Sequence, residues 1–143
     1  MKKIICLLLV VLMIGEVAYA AAKVKIAKKD LPALKGTWEG TIGFGLMEGG
    51  GTSPAKLEIL NDTVPVKAKL TITNVPANVA TEFQLPSGQN VAESEEGLIT
   101  SQGTLLWVGP QKNFIELTMV SKDKVNVWYY VRGLKGEGDL KKK

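Results

Sequence analysis

The stretch Lys35-Gly-Thr-Trp-Glu-Gly-Thr-Ile-Gly-Phe44 alternates with a period of two: Trp38, Gly40, Ile42 and Phe44 fall on one side, and Thr37, Glu39, Thr41 and Gly43 on the other. That is the repeat of a β-strand with one buried face, and it places the Trp38 indole in a core. The chain that follows repeats the pattern. Val64, Val66, Ala68, Leu70 and Ile72 alternate with Lys67, Lys69, Thr71 and Thr73, a strand over 63–73 with Pro65 at its start, where a missing N–H costs little. Residues 56–60 supply its neighbour, joined through Asn61-Asp62. Asn61-Asp62-Thr63 also matches a glycosylation acceptor, but a hairpin turn accounts for these residues.

Further strands are expected at 79–85, 97–100, 103–108, 113–120 and 124–132, separated by short turns such as Ser101-Gln102, Gly109-Pro110 and Lys122-Asp123. Strands joined this closely pair antiparallel with their neighbours. No helix-length 3.6-residue pattern occurs after the leader. The reading is an all-β domain, a small eight-stranded antiparallel up-and-down barrel. Residues 134–140 alternate again and are either a ninth strand or the true closing strand. Eight strands give an interior that side chains fill or that holds one small ligand.

The first twenty residues read as a cleaved signal peptide: Lys2 and Lys3, an apolar run over 4–14, then Ala18-Tyr19-Ala20 before the cut. The run is too short for a good membrane span, so no transmembrane span is expected in the mature chain and localisation is expected to be periplasmic or secreted. Residues 21–34 are then a flexible lead-in with a short 3₁₀ turn closing the barrel floor, 35–140 a single barrel domain and 141–143 a basic tail.

Removal of the leader takes away Cys6, and the chain has no histidine. Ser-His and Cys-His nucleophile pairs, the usual zinc sites and disulfides are thereby excluded from the mature domain. Glu93, Glu95 and Glu96 gather in a polar run over 86–96, but their spacing fits no EF-hand and they read as a solvated loop. The expectation is a non-enzymatic protein with no cofactor and no metal. The full chain carries +4, and loss of Lys2, Lys3 and Glu16 leaves +3. Aromatic and basic residues are not interleaved as a nucleic-acid platform requires. An outer-membrane barrel is disfavoured by Lys67 and Lys69 at outward mid-strand positions.

Gly36-Thr37-Trp38, early in the first strand after Leu31-Pro32-Ala33-Leu34, resembles the Gly-x-Trp signature of lipocalin and streptavidin-like (calycin) barrels. The resemblance implies a lipocalin-like barrel binding a small apolar ligand. It also implies that Arg132, the only arginine, covers Trp38 from the end of the last strand. If 134–140 closes the barrel instead, Arg132 moves to a neighbouring turn.

Val125, Val127, Tyr129 and Val131 share one strand face, and Trp128 and Tyr130 the other. One face fills the core and the other needs a cover, a homo-oligomer contact or an extra segment. Phe83, Trp107, Trp128 and Tyr130 are the bulky candidates to line a ligand cavity, and as core fillers they need no ligand. The glycine-rich run from Gly45 to Pro54 is a candidate lid with Leu46 and Met47 at its tip, over a cavity open at that end. Two functions follow: a small-barrel protein binding an apolar or amphipathic ligand inside, or a solid barrel acting by its surface as an envelope protein-protein interaction or inhibitor module. A filled core with an exposed apolar strip would mark the second.

Overall fold

The structure is a computed structural model that describes residues 23–45, 50–82, 88–109 and 113–143, with backbone alone for 88–95. Its eight strands close into one barrel in chain order: β1 (Gly36–Phe44), β2 (Gly51–Ile59), β3 (Val66–Val75), β4 (Gly88–Ile99), β5 (Leu105–Val108), β6 (Phe114–Met119), β7 (Lys124–Val131) and β8 (Leu134–Lys142). Every neighbouring pair is antiparallel, and β8 returns to β1. The up-and-down barrel expected from the alternation is what forms.

Residues 134–140 belong to the closing strand. Trp38 pairs with Lys142 and Phe44 with Gly136, so β8 lies along β1 from Gly136 to its end. Lys141 and Lys142 are ladder residues in β8 rather than a basic tail. A tight seam makes this closure close-packed: a side chain on Gly138 would overlap the Thr41 carbonyl, so only glycine lets the two strands approach there.

Inward and outward faces follow the sequence alternation. Trp38, Ile42, Phe44, Leu57, Leu70, Val127 and Tyr129 are buried, and Lys67 is exposed. Val64 departs from it: β3 begins at Val66, and Val64 sits in the β2–β3 turn, 37 % exposed. Asn61 builds that turn. Its amide donates to the Pro65 carbonyl at 3.0 Å, and its Oδ1 accepts the Lys67 N–H at 2.6 Å.

Three expected boundaries are corrected. The run over 45–54 is strand from Gly51 onward, because β2 starts there and pairs Gly51 with Phe44; residues 46–49 lie outside the described residues. The strand expected at 79–85 is replaced over its first half by a helix, α2 (Ala77–Glu82), which follows Pro76 and buries Val79 and Ala80. Proline fits a first helical turn, and Ala-Asn-Val-Ala-Thr-Glu contains no run of β-branched residues to oppose it. The polar segment read as a loop is the longest strand, β4, with Lys69 and Glu93 as register partners.

The lead-in is anchored from Lys23 onward. Val24 bridges to Met119, and the Ile26 N–H donates to the Gly103 carbonyl at 2.9 Å. A 3₁₀ turn (Lys28–Asp30) then runs into a one-turn helix, α1 (Leu31–Leu34), whose Leu31 and Leu34 are buried. Thus α1 stoppers one end of the barrel. At the other end, beside the β1–β2 connection, α2 turns Val79 into the same core.

Candidate interaction face

The interior is the place to look first for a site. A side chain bordering a void large enough for water keeps accessible surface on that side, and Trp38, Leu57, Leu70, Trp107, Leu117 and Val127 keep none. Among the described residues the inward-facing apolar side chains pack into one core. Trp107 shows how tightly. Its ring crosses over Gly97 of β4, its register partner, and its Nε1–H reaches the Val66 carbonyl of β3 at 2.6 Å. The β3–β4 ladder shifts register between Val66 and Ala68, and the indole satisfies the carbonyl at that irregularity.

Trp38 serves the opposite end. Its Nε1–H donates to the Leu34 carbonyl at 2.8 Å, joining the strand to the last turn of α1. The cation above it is Lys142, 5.5 Å from the ring centroid, with its ammonium hydrogen-bonded to the Ala33 carbonyl. Arg132 is in the β7–β8 turn with φ 47°, at the far end of β8 from Lys142. The covering role that the resemblance implied for arginine is thus occupied by a lysine, because the closing strand is one hairpin later.

The candidate ligand-lining residues separate. Trp107 is inside, whereas Trp128 and Tyr130 point outward from β7; Phe83, Leu46 and Met47 lie outside the described residues. The end expected to open, where β1 meets β2, is also where α2 buries Val79.

The outward aromatics belong to a broader apolar strip across β4 to β7. Leu98 pairs with Leu106, Val108 with Phe114, and Phe114 with Tyr130. The Phe114 and Tyr130 rings stack at 4.3 Å between centroids, and Trp128 lies 6.0 Å from Tyr130. Much of the strip is open: Val108 is 64 %, Leu98 56 % and Phe114 36 % exposed. On the β8 side Lys135 places its ammonium 3.4 Å from the Trp128 centroid and also pairs with Glu137 at 3.5 Å. On the other side the anchored segment at Val24 covers part of the sheet, leaving Thr118 only 6 % exposed. Sequence alternation had singled out Trp128 and Tyr130. The contributions of Leu98, Leu106 and Val108 follow from the pairing of β4, β5 and β6, which alternation alone does not give.

The Lys124 ammonium, 2.6 Å from the Asp139 carboxylate, and the Asn126 amide at 3.0 Å hold the Asp139 carboxyl below its ordinary range. Among the described residues no group of three or more acidic, histidine or cysteine side chains could hold a metal ion, and no helix is long and apolar enough to cross a membrane. No protein-family model matches the chain, and comparison with curated proteins finds no match.

Proposed function

We propose that this chain is an exported, non-enzymatic β-barrel protein whose interior serves as its core and whose outer apolar strip docks another protein of the cell envelope. The observation carrying this reading is the pairing of a filled interior with an open strip. Side chains such as Trp107 and Leu117 have no accessible surface inside, while Val108, Leu98 and Phe114 expose theirs outside. Exposed apolar surface of this continuity, rimmed by Lys135 and Glu137, is the composition of a protein contact. Export is supported by the Lys2-Lys3, apolar run and Ala18-Tyr19-Ala20 pattern.

A photo-crosslinking residue at Val108, compared with one at the exposed outward position Thr41 on β1, four strands away, tests the docking face in cells. A defined protein adduct from position 108 alone is the expected result; equal labelling from both positions removes the assignment. Native mass spectrometry of protein purified from its own envelope tests the interior. The chain is expected free of any small molecule, and a retained apolar molecule released only on unfolding would restore the barrel-ligand function in place of this one.

A further inference from the structure

Beside the strip lies a hollow of about 280 Å³, between the anchored N-terminal segment, the β4–β5 turn and the outward faces of β6 and β7. Its size is near the lower limit for ligand pockets, which suits one small molecule or one sugar unit. Trp128 forms one wall, and Lys23 stands 5.9 Å from the indole centroid. Glu116 is held in place from below: the Thr104 hydroxyl donates to its Oε1 at 2.9 Å, and Thr104 in turn meets the Thr100 hydroxyl at 2.8 Å. The Thr104 proton is committed to Glu116, so Thr100 must donate to Thr104, and the second carboxylate oxygen of Glu116 is left to accept from a guest. Thr118 and Gln102 also line the hollow. Across the register from Thr118, the buried Oδ1 of Asn126 has no hydrogen-bond partner among the described residues.

The charges have a definite arrangement. Lys23 and Lys25 both line the hollow, and neither has an ion-pair partner among the described residues. A guest would therefore present a carboxylate to the lysines, hydroxyls to Glu116, Thr118 and Gln102, and a flat C–H face to the indole. We propose that this hollow binds the uronate unit of an acidic saccharide, with Trp128 as stacking wall, Glu116 as hydroxyl acceptor and Lys23 and Lys25 as carboxylate partners. The site is outside the barrel and does not depend on the docking reading above, since its fate is decided by different residues from Val108 and Leu98.

The test is titration of the intact protein with sodium glucuronate, glucose and acetate, followed by amide chemical shifts and calorimetry. Glucuronate is expected to bind with shifts centred on Thr104, Glu116 and Thr118, roughly tenfold more tightly than glucose. Acetate, lacking hydroxyls and a flat face, is expected to leave those amides unmoved. Trp128→Ala should weaken glucuronate binding roughly tenfold. Glu116→Gln, which leaves the outer sheet face intact, should weaken it without altering thermal unfolding. Lys23→Gln with Lys25→Gln should abolish the preference over glucose. Absence of glucuronate binding, equal affinity for glucose or acetate, or binding unchanged by both Trp128→Ala and Glu116→Gln would overturn the proposal.

Discussion

Gly97→Ala is the smallest change that probes how full the barrel is. An added Cβ would come within 2.6 Å of Cδ1 and Cε2 of Trp107, closer than carbon atoms tolerate. The indole cannot swing away freely, because it has no exposed surface and its N–H is fixed on the Val66 carbonyl at 2.6 Å. Accommodation requires shifting the ring within a packed core, which costs about 1–3 kcal/mol, and straining or losing a buried hydrogen bond, which costs about 1–3 kcal/mol more. The expected loss is about 2–6 kcal/mol, a fall in melting temperature on the order of 10 °C for a domain of this size. Urea unfolding monitored by tryptophan fluorescence and circular dichroism reads it directly. A double-mutant cycle adds the geometry: in the Trp107→Phe background, where the ring is smaller and has no N–H, Gly97→Ala should cost at least about 1 kcal/mol less. A Gly97→Ala protein within about 0.5 kcal/mol of the parent, a range ordinary for exposed positions, would refute the packing described for Trp107.

At the other end, Trp38→Phe removes the donor to the Leu34 carbonyl and leaves a small void; a loss of about 2–4 kcal/mol is expected in the same unfolding assay. Lys142→Met, which keeps the aliphatic stem but removes the ammonium near the Trp38 ring and the Ala33 carbonyl, should cost about 1 kcal/mol. Asp139 has a folded pKa below its unfolded one, so its contribution is present above the ordinary carboxylate range and is lost as pH falls through the lowered folded value. Asp139→Asn should therefore lower the melting temperature modestly at neutral pH and not at all in strong acid; a difference that persists in acid would contradict the ion pair with Lys124.

Alternation around Trp38 and along 66–72 is enough to place an antiparallel barrel, because each of these strands has one apolar and one polar face, and burial then follows parity. Where that contrast is missing, local pattern fails. Gln89 to Glu96 is polar except for the adjacent Val91 and Ala92, which fall on opposite faces and give no alternation, and it becomes strand through pairing with β3, a partner far enough away in sequence that no local rule detects it. Ala77–Glu82 is too short for a helical period, and its helix is signalled only by Pro76 at the start. The closing strand presented a real ambiguity: Lys124–Val131 is apolar enough to end a barrel, and the glycines of β8 carry little hydrophobic signal although they permit its tight seam with β1. For the candidate face, parity sets Trp128 and Tyr130 together on the side away from Tyr129, but it does not decide which side is outward. Their joining to Val108 and Leu98 depends on strand order, and the hollow beside them depends on where Val24 crosses the sheet.

A crystal pressurised with xenon addresses the filled interior most directly, since xenon enters dry apolar cavities that other probes miss. No ordered xenon is expected among Trp38, Leu57, Leu70, Leu117 and Val127, all without accessible surface. A well-occupied xenon site at the centre of these side chains would show that the barrel is hollow and contradict the account.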